Sequence, residues 1–438
     1  MSKRMDEFAD KFGAITARVE GWRYVRVIKN AFVGLLPLTI IGAFGVLLAT
    51  MVFDADLGLA KIEGLGFLTA LKPIANAASY ATLSLMALYV VFFMGNELAR
   101  INGENPVIGG SIAFACYIAA TPTFTEVMSG NETITVSGVL ASKYTDCNGM
   151  FIGMLVAVAS VELWCWLGRQ DRLKIKMPDS VPANVSESFS ALIPTVVTVS
   201  TFAILGYAIL AITGMYAYDI LFFAVQQPLM MLSQGLPFVL ILQFVAQFFW
   251  CFGIHGNSLI NPVFEPITQT AIAQNAAAFQ AGDPVTNIFT GPFTDMYMKA
   301  GGSGMILCLV IAIFIVSRRA DYRAIAEIGL PCCVFNIAEP EIFGLPIVMN
   351  PVLCVPFVFS SLVTGAIGYF ATAIGFAAPA VVLTPWPTPP IINAFLATGG
   401  SVGAVITQVV CIVVAVLIYI PFVMAMNKRP ADNVEMAA

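Results

Sequence analysis

Long apolar runs are the feature that most restricts what this chain can fold into. A helix needs about 20 apolar residues to cross the hydrocarbon core of a bilayer, and runs near that length recur from one end of the sequence to the other. The sequence therefore predicts an all-α polytopic membrane protein, with spans at 31–53, 76–97, 107–121, 148–168, 188–213, 236–254, 302–317, 347–375 and 402–425.

The composition excludes a soluble fold. Hydrophobic residues make up 59% of the 438 residues and charged residues 11%, whereas a soluble domain carries about 25% charged residues. The first 30 residues are polar and amphipathic, and they lack the apolar core and small-residue cleavage site of a secretory signal. We therefore expect 1–30 to be an amphipathic segment, not a cleaved leader.

Positive charges predict the topology. Seventeen of the 21 lysines and arginines fall before the first predicted span, at Arg100, at 169–176, at 318–323 and at 428–429. Basic loops remain on the cytoplasmic side of a membrane. Both the N-terminal segment and the tail at 427–438 are therefore predicted to be cytoplasmic.

The two halves of the chain differ in how often proline interrupts them. Segment 31–218 reads as fairly clean helices, whereas 219–426 is broken repeatedly by Pro and Gly. Proline removes a backbone donor, and broken backbone survives at membrane depth only where it lines a cavity or is buried in protein. We therefore expect re-entrant helical hairpins in the C-terminal half, one of them at 329–346, beside a binding site.

The polar residues suited to chemistry lie at these interruptions. His255 is the only histidine and stands between Gly253 and Gly256, and glycine lets a ligand approach the backbone closely. Glu339 precedes Pro340, which biases it away from helical backbone. A histidine that merely caps a helix end is the structural alternative.

Carboxylates and tryptophans together suggest a carbohydrate ligand. Glu339 and Glu341 lie near Asn336 with no basic residue in the same segment, so burying them requires hydroxyl donors, water or a polar ligand. Trp250 and Trp386 offer flat apolar faces on which sugar rings pack. Alternatively, the two tryptophans are anchors at the membrane–water interface, and Glu341 faces cytoplasmic water. With one histidine and no CxxC pair, the sequence predicts neither a bound metal nor a cofactor.

Several segments resemble a known family. FGIHG, GGSG, FNIAEPEIFGLPIVMNPV and TPWPTPPIINAFLATGGS are similar to the membrane component, enzyme IIC, of the lactose/cellobiose/diacetylchitobiose branch of the bacterial phosphoenolpyruvate-dependent sugar phosphotransferase system. The resemblance implies a homodimer of about ten-helix subunits in the bacterial cytoplasmic membrane. It also implies that 31–218 forms the dimer interface and that 219–426 carries the sugar across the membrane as a unit.

The same resemblance implies the site residues. The family's functional histidine and glutamate match His255 and Glu339, and the tryptophan of its late Pro-rich loop matches Trp386. Two positions depart from the family pattern, with Ala338 in place of an Asn and Glu341 in place of an apolar residue. Catalysis is therefore predicted at Glu339 and His255, and sugar binding at Trp250, Gly256, Asn257, Asn336, Glu341, Trp386 and Thr388.

The implied activity is uptake of a β-linked disaccharide of the cellobiose, diacetylchitobiose or lactose class, with phosphorylation at C6 by phospho-IIB. The IIB and IIA proteins are expected to be separate chains. The protein is expected to lie in the lipid bilayer, and nucleic acid is not an expected partner. A proton-coupled sugar symporter remains the alternative, because intramembrane Glu and His also serve proton relays.

Overall fold

The computed structural model describes residues 22–427, apart from 56–57, 130–131, 176–177, 179–181, 183–185, 187–188, 346 and 349. Most of the predicted N-terminal segment and nearly all of the predicted tail therefore lie outside the described residues. The α-helices in chain order are α1 Arg23–Leu47, α2 Lys72–Thr82, α3 Met86–Ile101, α4 Pro106–Ala119, α5 Ser142–Thr145, α6 Met150–Gly168, α7 Leu192–Thr213, α8 Ala217–Leu221, α9 Gln227–Ser233, α10 Leu236–Trp250, α11 Gly256–Ala281, α12 Gly291–Tyr297, α13 Ile306–Val316, α14 Ala320–Val334, α15 Glu339–Gly344, α16 Pro351–Ala373, α17 Ile392–Ala397 and α18 Val402–Met426.

Short helical turns connect these helices. The 3₁₀ turns are Leu59–Lys61, Gly66–Leu71, Leu83–Leu85, Cys147–Gly149, Asp171–Leu173 and Ser303–Met305, and the π turns are Leu48–Val52 and Phe222–Gln226.

The predicted class of an all-helical polytopic membrane protein is confirmed. Among the described residues six helices are long and apolar enough to cross a membrane, and a seventh span results if the bent pair Ala217–Ser233 and Leu236–Trp250, with a 77° bend, is counted as one. The predicted spans at 107–121 and 302–317 are only short apolar helices, Pro106–Ala119 and Ser303–Val316. At 1.5 Å per residue each is about 21 Å long, less than the hydrocarbon thickness of about 30 Å.

A small β-hairpin lies between α4 and α5. Strand β1 (Phe124–Ser129) pairs antiparallel with β2 (Glu132–Ser137), with Phe124 opposite Ser137 and Ser129 opposite Glu132. The second strand contains the run TITV, whose β-branched side chains favour extended backbone.

The described residues divide into two compact units. The first comprises 22–42 and 77–231, and the second comprises 43–76 and 232–427. The roles predicted for the two halves, dimerisation and sugar transport, remain predictions.

Two carboxylates of the first unit that stand in apolar helices are paired. Glu162, which stands inside an apolar helix, forms an ion pair with Arg23 at 3.0 Å and accepts a hydrogen bond from the Tyr24 hydroxyl. Glu97 is buried, forms an ion pair with Arg100 and accepts from the Asn30 side-chain amide. These carboxylates therefore have structural partners, as buried charges require.

The core of the second unit holds a glycine-rich loop in place. Gly301, Gly302 and Gly304 all have positive φ, a conformation that glycine adopts without steric cost. The Gly304 carbonyl accepts hydrogen bonds from the hydroxyls of Ser360 on α16 and Tyr419 on α18. The loop at 301–304 is therefore buried and anchored by two long helices.

Candidate functional site

His255 is fixed by the start of α11. Its Nδ1 accepts a hydrogen bond from the backbone N–H of Ser258 at 3.2 Å, and the Ser258 hydroxyl lies 3.1 Å from the same nitrogen. Because a backbone N–H can only donate, Nδ1 is the acceptor and the ring proton of the neutral imidazole is on Nε2. The capping contact thus sets both the orientation and the tautomer of the ring.

Glu339 faces the free side of this imidazole. It is the first residue of α15, and Pro340 follows it in the first helical turn, where a missing N–H costs nothing. Its Oε1 lies 4.0 Å from His255 Nε2, and each side chain is about half exposed, at 49% and 48%. The two groups are too far apart for a direct hydrogen bond and remain accessible to a third group.

That separation suits a hydroxyl. An oxygen placed about 2.8 Å from both atoms can accept from Nε2–H and donate to the carboxylate at the same time. An alcohol is the simplest group with both functions on one atom. The geometry can therefore orient an alcohol and remove its proton.

Asn336 connects three segments around this pair. Its φ is 63°, and its Oδ1 accepts from the Gly301 backbone N–H at 2.9 Å. Its Nδ2 donates to the carbonyls of Trp386 and Thr388 at 2.8 and 2.9 Å. The Asn336 amide therefore acts as a structural link, and Thr388 enters the site through its backbone.

Asn257 forms a second link to the glycine-rich loop. Its Nδ2 donates to the Ser303 hydroxyl at 3.0 Å, while its Oδ1 is buried and has no hydrogen-bond partner among the described residues. On the same loop, a Cβ added at Gly302 would lie 2.7 Å from the Cβ of Ala338. Ala338, one of the two departures from the family pattern, is therefore packed directly against this loop.

The two tryptophans occupy different environments. Trp250 is 3% exposed, its ring centroid lies 4.6 Å from that of His255, and it meets Phe343 edge to face. Trp386 is 54% exposed. Trp250 therefore supports the imidazole, whereas Trp386 has the open face that a sugar ring needs.

Gly256 serves packing. A Cβ at this position would overlap the carbonyl oxygen of Ala246 on α10, so the close approach that the sequence suggested for a ligand is made by a neighbouring helix.

Replacing Gly256 with Ala should therefore displace the start of α11 and the His255 ring with it. We expect a stability loss of about 1–3 kcal/mol, typical of overpacking, together with weaker sugar binding. Thermal melting and sugar-binding calorimetry of the purified variant measure both, and Gly291→Ala, where an added Cβ meets no atom within 4 Å, is the control. Equal behaviour of the two variants would contradict the packing role.

Glu341 lies apart from the exposed pair. Its residue surface is 0% exposed and neither carboxyl oxygen has a hydrogen-bond partner among the described residues. It fills the space beside Gly329 on α14, where an added Cβ would overlap Oε1. In this conformation it has no surface with which to contact a sugar.

Sequence reasoning missed the residues that support the site. Ser258 fixes the imidazole through its backbone N–H, and because histidine is not among the preferred N-cap residues, no capping signal marked this contact. Sequence reasoning also did not single out the charged residues Glu265, Asp295 and Lys299 of the same unit. Glu265 accepts from Gln269 at 2.8 Å, and Asp295 pairs with Lys299 at 3.6 Å.

The fold and the site define an integral membrane permease with a polar site at interrupted helices. The chain belongs to the EIIC family of the phosphotransferase system, in its lactose/cellobiose branch, and the family model "Phosphotransferase system, EIIC" matches residues 29–361. It is thus a membrane sugar permease and a component of a sugar phosphotransferase system, which implies IIB and IIA partners and a sugar substrate.

Known relatives match almost the whole chain. It is 35% identical to the oligo-beta-mannoside-specific EIIC component of Bacillus subtilis, over 94% of this chain and 92% of that protein. It is 31% identical to the cellobiose-specific EIIC component of Geobacillus stearothermophilus, over 98% and 96%. The crystal structure of the transporter ChbC, the IIC component from the N,N'-diacetylchitobiose-specific phosphotransferase system, superimposes with a TM-score of 0.88 at 30% identity, covering 96% of this chain and 98% of that one.

Proposed function

We propose that this permease binds a β-linked disaccharide and presents its C6 hydroxyl to Glu339 and His255 for phosphorylation by phospho-IIB. The observation that carries the proposal is the 4.0 Å gap between Glu339 Oε1 and His255 Nε2, which one alcohol oxygen can bridge as acceptor and donor. The relatives named for oligo-β-mannoside, cellobiose and N,N'-diacetylchitobiose support the choice of sugar class.

Sugar binding in this proposal uses the exposed indole and the ordered loops. Trp386 packs on a sugar ring, a contact that its half-exposed indole permits. Asn336 and Asn257 keep the Gly-rich loop and the Trp386 segment in register, so the hydroxyl meets the His–Glu pair in one geometry.

The chemical step transfers phosphorus from sulfur to oxygen. The C6 oxygen attacks the phosphorus of the phosphocysteine on IIB, the P–S bond breaks and the O–P bond forms. Glu339 accepts the hydroxyl proton, and the IIB cysteine leaves as a thiolate. His255 holds the hydroxyl through Nε2–H, so positioning and charge stabilisation supply most of the rate.

Docking of IIB is proposed on the basic segment 318–323, which the positive charges predict to be cytoplasmic. Arg323 donates to the carbonyls of Phe314 and Ser317, and Arg319 pairs with Asp321. These two guanidinium groups shape the end of α13 and the start of α14, whereas Arg318 is exposed and is the arginine of this segment offered to a partner.

The product carries about −1.5 to −2 charges near neutral pH, as phosphate monoesters do. Such a charge cannot return across an apolar barrier without a large free-energy cost. Phosphorylation therefore traps the sugar inside.

Proteoliposomes containing the purified protein test this function against proton symport. With phospho-IIB inside and labelled cellobiose outside, we expect internal label to be entirely phosphorylated and its accumulation to be insensitive to an uncoupler. Vesicles with unphosphorylated IIB are the control and should accumulate no label. Free internal cellobiose that disappears with the uncoupler would establish the symporter instead.

A further inference from the structure

Glu341 is a buried carboxyl group to which the proposed transfer step assigns no role. It is fully buried, neither carboxyl oxygen has a nitrogen or oxygen hydrogen-bond partner among the described residues, and the weakly donating thiol of Cys333 lies beside it. Its surroundings are apolar on its own helix, where Ile342 and Leu345 belong to the hydrophobic core of the unit. A carboxylate charge in such a place would be uncompensated.

The helices packed against α15 supply no positive charge to Glu341. On α14, Glu341 is faced by Gly329, which has no side chain, and by the buried thiol of Cys333. On its own helix, the nearest titratable group is Glu339. Trp250 of α10 meets Phe343 of α15 through an aromatic contact. No Lys, Arg or His side chain of the described residues forms an ion pair with Glu341, and a second carboxylate two residues away disfavours its ionisation further.

The carboxyl group of Glu341 packs closely against Gly329 of α14. The carboxyl occupies the volume that a side chain at Gly329 would fill, as one side of a close helix contact. A protonated carboxylic acid is the form of glutamate that costs least to place in such an apolar contact.

We propose that Glu341 is held as an uncharged carboxylic acid and acts as a positioning residue for Glu339. The inference rests on the proposed base role of Glu339. Its carboxyl packs α15 against Gly329 of α14, and this contact holds the turn that carries Glu339. Ionisation of Glu341 would place an uncompensated charge in the contact and open it.

The stability of the resting protein tests this without sugar or IIB. A buried acid keeps its proton in the folded state and loses it in the unfolded state above the ordinary glutamate pKa of about 4.3. The unfolded state then binds fewer protons, so raising the pH should favour unfolding by up to tenfold per pH unit until Glu341 itself ionises. Thermal melting of wild type, Glu341→Gln and Glu341→Met from pH 5 to 9 measures the effect.

We expect both neutral variants to melt with a weaker pH dependence than wild type and to melt above it at pH 9. Glu327→Gln, an exposed position on α14, should keep the wild-type pH dependence. Two results overturn the proposal: variants that follow the wild-type slope, or variants that melt below wild type at every pH. Should the Gln variant fail to fold, Glu341→Met decides alone, because methionine needs no hydrogen-bond partner.

The pH profile of phosphoryl transfer separates positioning from mere packing. Wild type should lose transfer activity on the alkaline side, while Glu341→Gln should keep neutral-pH activity within about threefold and extend it to higher pH. A Gln variant that loses transfer at neutral pH would show that Glu341 acts as an ion, and end the proposal. If wild type itself transfers no phosphate, the proposed function fails, and the melting result still decides the charge of Glu341.

Discussion

Glu339→Gln should reduce sugar phosphorylation by about 10² to 10⁴-fold, the contribution of a positioned general base, while sugar binding changes by less than about tenfold. The amide keeps the size of the side chain and can still hydrogen-bond to a hydroxyl, but it cannot take up a proton at neutral pH. Because Glu339 is half exposed at the start of α15, we expect the variant to fold normally. The loss should therefore appear in the rate and leave the affinity largely intact.

Single-turnover transfer from phospho-IIB to cellobiose measures the rate, and calorimetry measures binding. Glu327→Gln removes a carboxylate from the neighbouring helix α14 at an exposed position and should leave both quantities unchanged. Normal turnover in Glu339→Gln would remove the base role, and loss of binding without a change in rate would reassign Glu339 as a sugar ligand.

The second large effect is expected at Asn336. Replacement by Ala removes three hydrogen bonds, to Gly301, Trp386 and Thr388, each worth about 0.5–1.5 kcal/mol net. Ala also tolerates the left-handed backbone at φ 63° poorly, by about 1–2 kcal/mol. We expect a total stability loss of about 3–5 kcal/mol and a drop in sugar affinity of at least tenfold, because the Trp386 segment loses its tie.

Asn336→Gly separates the two causes. Glycine keeps the left-handed backbone without strain but makes none of the three side-chain bonds. It should bind sugar as weakly as the Ala variant while melting at a higher temperature. Wild-type affinity in the Gly variant would mean that the loop at 301–304 and the segment at 386–388 are held without the Asn336 amide.

The class of fold was accessible from the sequence because it depends on apolar length alone. The apolar runs predicted a polytopic helical protein, yet two of them are too short to span as straight helices, since Pro106 and the turn at 303–305 fix where those helices begin. The hairpin at 124–137 was missed because its alternation is short and lies beside much stronger apolar signals.

The site was accessible only in part. His255 and Glu339 are 84 positions apart, and nothing in the spacing could predict their 4.0 Å approach; the family resemblance, which the comparisons confirm, is what joined them. The burial of Glu341 depends on the absent side chain of Gly329 on another helix. Such contacts are set by tertiary packing, which single-residue chemistry does not predict.

The uneven burial of the helices has a consequence for biosynthesis. In the most apolar 18-residue window of α7, only 11% of the residues are buried inside the protein, and the mean hydropathy of that window is 2.1. We expect α7 to partition from the translocon into lipid before it forms tertiary contacts, because it is long and apolar. The 14-residue helix α4 is shorter than the hydrocarbon core, so we expect it to insert together with α3, against which it packs.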